Sequence, residues 1–412
     1  MPDDEELESE PRSRRLPRTI WALGFVSLLM DISSEMIHAL LPVFLITTLG
    51  AGTEMVGLVE GLGEGTASVT KVFSGWLSDR LGRRKALAVA GYAIGALSKP
   101  VFAIAPAASW VLGARFFDRV GKGIRGAPRD ALIGDLAPPG MSGAAFGLRQ
   151  SLDTVGAFIG PLLAIALMVM SGDDIRFVFW LALPFGLLAV AVLAITVHEP
   201  PASQSTPKRA ARGPLHRSEL ALLGPRFRAV TLAGSVLTLA RFGEAFLVLR
   251  ARNLGLPLAL TPIVLVVMNV VYGLSAYPAG RLADVLDRRG VLTVGFAVLV
   301  LADLALGFAH GLLVGIIGIA LFGLHMGLTQ GVFSALVSDA APREARGTAF
   351  GVFHLASGLS LLLASLVAGF AWHMAGSAAT FLTSAGLALI GLMLLYALVH
   401  DGTDRRLPET TR

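Results

Sequence analysis

Long apolar stretches recur along the chain, separated by short polar and charged turns. Crossing a hydrocarbon core of ~30 Å takes about 20 helical residues. Twelve stretches reach that length, at 20–49, 55–78, 86–105, 108–128, 142–170, 176–197, 228–250, 257–280, 290–309, 311–337, 346–372 and 377–399. Several contain charged side chains. A charge inside a span is expensive, so it marks either function or a buried pair. The pattern predicts an all-α integral membrane protein with twelve transmembrane helices.

The longest polar interruption, His198 to Arg228, falls almost at the chain midpoint and carries Pro200, Pro201, Pro207, Lys208, Arg209 and Arg212. It reads as a cytoplasmic linker between two six-helix bundles. The expected organisation is a tail over 1–19, a bundle over 20–198, a linker over 199–227, a second bundle over 228–400 and a tail over 401–412. The first segment has acids, Asp3 to Glu6, and then Arg12, Arg14, Arg15 and Arg18. No small-residue cleavage site follows the first apolar stretch, so the segment is read as a cytoplasmic tail and not a signal peptide.

Composition strengthens the membrane reading. Of 412 residues, 54% are hydrophobic and 15% charged, and the mean hydropathy is +0.70. A soluble domain is about a quarter charged, and a chain this apolar does not stay disordered. There is no cysteine, which removes disulfides, thiolate metal sites and cysteine nucleophiles. Glycine, at 47 residues, suits close helix packing in a bilayer. Of 34 Lys and Arg residues, three fall on external loops (Arg176, Arg250, Arg252) and seven inside spans (Lys71, Lys99, Arg115, Arg119, Lys122, Arg149, Arg241). The remaining 24 lie on tails and loops of the other side, which orients both termini to the cytoplasm. The net charge of +5 thereby becomes a matter of topology, with no nucleic-acid partner implied.

The two halves resemble each other. Gly75-Trp-Leu-Ser-Asp79-Arg-Leu-Gly-Arg83-Arg84 aligns with Gly280-Arg-Leu-Ala-Asp284-Val-Leu-Asp-Arg288-Arg289 at an offset of 205. Ala131 to Pro138, followed by Gly143, Phe146 and Gly147, aligns with Ala335 to Pro342, followed by Gly347, Phe350 and Gly351, at an offset of 204. Parallel repeats joined by a central linker imply a pseudo-twofold axis along the membrane normal and a site between the halves.

On these motifs the chain is identified as a member of the major facilitator superfamily over residues 18–400, closest to its twelve-helix drug/proton antiporters. Gly75 to Lys85 resembles the superfamily signature G-x-L-x-D-R-x-G-R-R between helices 2 and 3. Arg115-Phe-Phe-Asp118-Arg119-Val-Gly121-Lys122-Gly123 is similar to the helix-4 antiporter motif R-x-x-x-G-x-G, with Arg119 where a glycine is usual. Gly156-Ala-Phe-Ile-Gly160-Pro161 resembles the helix-5 motif G-x-x-x-G-P, with Ile165 where a small residue is usual. The resemblance implies an N-in, C-in transporter of the inner or plasma membrane, working by alternating access, with proton-coupled export the leading expectation. It also implies that a helix-1 acid pairs with Arg115. Uptake or symport of an organic anion is the alternative. A small-molecule solute, anionic or zwitterionic, and membrane lipid are the expected partners of a monomer. No cofactor is expected beyond the proton as coupling ion.

Helical spacing sorts the in-span charges into stripes. Asp31, Glu35 and His38 share a face of span 1, and Glu60, Glu64 and Lys71 share one of span 2. Arg115, Asp118, Arg119 and Lys122 form a narrow stripe on span 4, continued by Arg125 and Arg129 at its cytoplasmic end. On span 5, Arg149 and Asp153 are one turn apart. At even ~3 kcal/mol per lipid-exposed charge these stripes must face one another or a wet cavity. The carboxylates of Asp31, Glu35, Glu60 and Glu64 are either structural ion-pair partners or groups that titrate during transport. Arg119 and Lys122 either bind an anion or are neutralised by those acids. The second half offers Arg241, Glu244, Asp303, His325 and His354, with Asn269, Tyr272 and Gln330 as polar contacts. His38 and His354 read as hydrogen-bonded structural groups. With no His pair at i, i+4 there is no metal expectation.

The paired loop motifs suggest a conformational switch. The resemblance places Asp79 on the start of helix 11, near Arg346 to Thr348, and Asp284 on the start of helix 5, near Ser142 and Gly143. A carboxylate there meets free N–H groups and the positive helix end. Arg83, Arg84 and Arg288, with Asp130 or Asp135 nearby, would hold these acids. Gly156, Gly160 and Pro161 permit close packing and a bend, expected against a helix of the other half. An intramembrane enzyme is unsupported, since H-E-x-x-H, G-x-S-x-G and a phosphate loop are all missing. A non-transporting receptor or scaffold would have no need of the repeated switch motif.

Overall fold

The computed structural model describes residues 16–81, 83–138, 142–198, 223–285, 288–341 and 346–398, and within them the chain is helical. The helices are α1 (Arg18–His38), α2 (Thr53–Leu81), α3 (Arg84–Ile104), α4 (Ala108–Leu136), α5 (Ser142–Ser171), α6 (Ile175–Thr196), α7 (Pro225–Leu239), α8 (Ala245–Asn253), α9 (Ile263–Val285), α10 (Arg288–Gly307), α11 (Leu312–Ala340) and α12 (Arg346–Leu398). Among the described residues, eight helical segments are long and apolar enough to cross a membrane. α2 and α4 are each 29 residues long but too charged to count among them.

Two predicted spans differ in form. The first breaks after His38: Pro42 supplies no N–H to the turn before it, and the chain resumes as a short turn over Leu41–Val43 and a π-helical turn over Phe44–Thr48. The span predicted at 228–250 is divided by a non-helical joint, 240–244, between α7 and α8. Gly243 lies in this joint, where a methyl group would come 3.3 Å from Ser365 Oγ and 3.4 Å from Glu60 Cβ. The last two predicted spans are two helical arms, together α12, joined at a bend at Gly376, whose φ of 79° suits glycine. Thr380 Oγ1 donates to Ala368 O across this bend at 3.0 Å.

The packing repeats as the sequence does. α1 packs on α5 and α6, α2 on α4, and α3 on α4 and α6. Correspondingly, α7 packs on α12, α9 on α11, and α10 on α11 and α12. The two sets of helices meet along α2–α12 and α5–α9. Even the helix ends correspond. The last carbonyls of α3, at Ala103 and Ala105, accept from Arg176 at 2.6 and 2.7 Å. The equivalent carbonyls of α10, at Gly307 and Ala309, accept from Arg250 at 3.4 and 2.7 Å. These are the groups a helix leaves without internal partners.

Candidate functional site

Many of the charged side chains of α1 to α5 are paired with one another in three groups. In the first, Arg115 on α4 donates through Nη2 to both carboxylate oxygens of Glu60 on α2, at 3.0 and 3.2 Å. His38, at the end of α1, spans Glu60 (3.4 Å) and Glu35 (3.3 Å) with its two ring nitrogens. In the second, Lys99 on α3 donates to Asp118 on α4 at 2.8 Å and to Ser34 Oγ at 3.1 Å. Arg119 lies 3.5 Å from both Asp118 and Glu64. Arg115, Lys99 and Arg119 thus meet Glu60, Asp118 and Glu64, all buried except the half-exposed Glu64. This is the arrangement a low-dielectric interior requires, because an unpaired charge there costs several kcal/mol.

The third group lies toward the other end of α4. Arg129 binds Asp130 (3.1 Å), Ser27 Oγ (3.1 Å) and Tyr92 Oη (3.5 Å), and approaches Asp153 at 4.0 Å. Arg149 reaches Asp153 at 3.3 Å and Asp130 at 3.6 Å. Arg125 covers the Tyr92 ring at 4.9 Å, a cation–π contact. Asp31 lies beside Asp153, Lys122 and Arg125. The expected bond between Arg115 and a helix-1 acid is absent among the described residues. Glu60 on α2 stands in its place, with His38 carrying the connection on to Glu35.

A cavity of about 310 Å³ lies between α2 and the helices that follow the linker. α2 contributes Glu64 and Ser68, the α7–α8 joint Arg241, α11 His325, Thr329 and Gln330, and α12 His354 and Ser357. The rings of Phe296, Phe333 and Phe353 complete the wall. His325 Nδ1 donates to Gly295 O at 2.8 Å, and Tyr272 Oη donates to Gln330 at 3.1 Å. Of the residues singled out in the sequence, Glu64, Arg241, His325, Gln330 and His354 line this space and Tyr272 is one bond away. Asn269 is half-buried on α9, and Glu244 sits in the joint near His38 and Glu35. The bases of the α4 stripe do not line the cavity. Ser68, Thr329 and Ser357 were not singled out by the sequence reading. Their signal is a polar residue one turn from another on an apolar helix: Glu64 with Ser68, His325 with Thr329, His354 with Ser357.

The glycines of α5 pack differently from the expectation. A methyl group at Gly156 would come 2.7 Å from Leu28 O, and one at Gly160 2.8 Å from Glu35 Cβ. Both faces therefore press on α1, within the first six helices, because the Gly face of α5 turns toward α1 and not toward α9. Among the switch residues, Arg84 is paired with Asp135 and donates to Ala131 O at 3.4 Å. Arg83 is exposed at the start of α3. For Gly75, Asp79, Asp284 and Arg288, and for residues 142–144 and 346–348, the described structure is that of the backbone alone.

The family model described as "Major Facilitator Superfamily" matches residues 23–249 and 230–412. An MFS-type transporter of Methanocaldococcus jannaschii is 33% identical over 401 residues, 94% of this chain and 97% of the relative. The multidrug resistance protein MdtH of Photorhabdus laumondii is 30% identical over 159 residues, 38% of each chain. The crystal structure of the nucleoside transporter NupG superposes with a TM-score of 0.76 at 15% identity, covering 93% of this chain and 100% of that one.

Proposed function

The chain belongs to the Major Facilitator Superfamily, and from that premise we propose that this multi-pass membrane transporter carries a small organic solute through the cavity between Glu64 and Arg241, by proton-coupled export. The topology of this reading has twelve passages in two six-helix bundles, with α7 and α8 forming one passage and the arms of α12 two. Both termini face the cytoplasm, and the membrane is the cell's own. No catalytic step is asked of the protein, and no cofactor beyond the proton.

The observation that carries the reading is the composition of the cavity wall. It takes residues from both sides of the α2–α12 contact, so a solute there touches both sets of helices and gains from their relative movement. One acid, Glu64, and one permanent cation, Arg241, face it, with His325 and His354, among aromatic rings. That favours a zwitterionic or neutral solute with an apolar body. Export is supported by the Gly156…Gly160-Pro161 motif and by the partial similarity to a multidrug resistance protein. Proton coupling is supported by the acids of α1 and α2 that are joined through His38.

The test is flux in proteoliposomes. A thermal-shift screen first selects a stabilising solute, and its movement is then followed under an imposed pH gradient. The expected result is solute movement against its own gradient, opposite to the proton. Flux indifferent to the pH gradient overturns the coupling, and gradient-driven movement in the same direction as the proton overturns export.

A further inference from the structure

Asp303 on α10 is fully buried, and among the described residues it has no basic partner. Its Oδ2 lies 2.5 Å from Ser384 Oγ on α12, while its Oδ1 meets no hydrogen-bond partner. Ser384 Oγ lies 2.5 Å from a second oxygen, the carbonyl of Ala240. That carbonyl opens the α7–α8 joint, and among the described residues no backbone N–H donates to it. Three oxygens therefore stand in a row with two contacts of hydrogen-bond length. Each contact needs one proton. The serine hydroxyl has one and can give it to only one neighbour. Spacing this short leaves no room for a metal ion between the oxygens, whose ligands stand further apart.

The count closes if the carboxyl supplies the second proton: Asp303 Oδ2–H donates to Ser384 Oγ, whose own hydrogen goes to Ala240 O. A neutral carboxyl also suits a site without a counter-charge, where an ionised one would be strongly disfavoured. We propose that Asp303 is a proton-binding site of the second half of the chain, and that its proton holds the α7–α8 joint in the shape that presents Arg241 to the cavity. The position of the site stands on its own geometry; its consequence for transport rests on the reading of the cavity given above.

The joint is well placed to pass on the change. Ala240 is held by Ser384, Arg241 lines the cavity, and Gly243 packs against Glu60 of the first charged group. When the proton leaves Asp303 Oδ2 a carboxylate remains. Ser384 then turns its hydrogen from Ala240 O to the carboxylate, and the Ala240 carbonyl loses its donor. A buried carbonyl without a donor favours a different local backbone. The titratable side chains described on the surrounding elements include Tyr272 on α9, Arg250 on α8, Arg289 on α10, His325 on α11, His354, His373 and Tyr396 on α12, and Arg241 and Glu244 in the joint. None of them makes an ion pair or hydrogen bond with Asp303 among the described residues. The proton on Asp303 is thus separate from the network around Glu35, His38 and Glu60.

Infrared difference spectroscopy tests the protonation in the full chain in lipid nanodiscs, with no solute needed. Subtracting Asp303→Asn from wild type should reveal the loss of one carboxylic-acid carbonyl band at neutral pH. Ser384→Ala should shift that band toward a weaker hydrogen bond, which serves if the Asn variant does not fold. Loss of a carboxylate band instead overturns the proposal. The consequence for the joint is read separately. The chain has no native cysteine, so Thr238→Cys gives a single thiol at the cavity wall, two residues before Ala240. Its maleimide labelling rises with pH in any background, because the thiolate is the nucleophile, so the readout is the ratio of the rates with Asp303 present and with Asp303→Asn, which should change as the pH is raised. Parallel profiles in the two chains overturn the link to the joint. If the acid band is present but flux proves independent of the pH gradient, the proposed function fails and the proton site stands.

Discussion

Lys99→Met isolates the energetic role of the buried pairs, because Lys99 and Asp118 lie outside the cavity wall. The two side chains are 2% and 5% exposed and 2.8 Å apart. Unit charges at that distance attract by about 6 kcal/mol at an effective dielectric constant of ~20. The methionine removes that attraction and also the bond to Ser34 Oγ. Asp118 keeps Arg119 at 3.5 Å, so it is not left alone. The expected loss is therefore about 3 kcal/mol, at the lower edge of what breaking a buried pair costs. Adding Asp118→Asn to Lys99→Met removes the stranded charge while an amide oxygen remains for Arg119. The double variant should recover about half of the loss, as coupled neighbours do. The assay is denaturant unfolding of the purified proteins in one detergent, followed by tryptophan fluorescence. A Lys99→Met protein within about 1 kcal/mol of wild type, a difference ordinary for surface changes, would refute the pairing energetics. So would a double variant less stable than the single one.

Three further outcomes follow from the geometry. Asp31→Asn or Glu35→Gln should suppress gradient-driven accumulation in proteoliposomes but spare counterflow, which needs only the loaded carrier to reorient; equal loss of both assigns these acids to structure. Lys122→Gln should leave apparent solute affinity within about tenfold of wild type, since Lys122 does not line the cavity; losing a charge-assisted contact would instead cost about 1.5–3 kcal/mol, roughly 10- to 150-fold. Gly156→Val should lower the yield of monodisperse protein on size exclusion, because overpacking costs about 1–3 kcal/mol and even one methyl group meets Leu28 O at 2.7 Å. Gly113→Ala, where a methyl group meets nothing, is the control.

The stripes of charge were legible in the sequence because they depend on spacing within one helix. Arg115, Asp118 and Arg119 do share the buried face that the 3.6-residue period gives them. Which acid meets which base was not legible, since that depends on how far one helix is shifted along its axis against the next. Arg115 stands level with Glu60, and His38 closes the step to Glu35. The internal repeat was visible as two offsets, and it returns as matching helix pairs and capped helix ends. The cavity was only partly readable. Glu64 and Arg241 stood out as charges, whereas Ser68, Thr329 and Ser357 are short polar groups whose importance comes from convergence of three helices. The interruption at 240–244 had a single local sign, Gly243, which packs closely on Ser365 and Glu60.

The hairpin of α12 has a mechanical consequence. Its two arms grip the α7–α8 joint from different points, Ser365 beside Gly243 and Ser384 on Ala240. The arms are connected through one residue, Gly376, with no loop to take up slack. Thr380 stitches them together close to that bend. The assembly behaves as a pair of tweezers with a stiff spring: the spacing of its tips is set by the angle at Gly376. A residue with a side chain at Gly376 would have to hold a φ of 79°, a strained conformation for any L-amino acid, so the spring is made of the one residue that can bend there without cost.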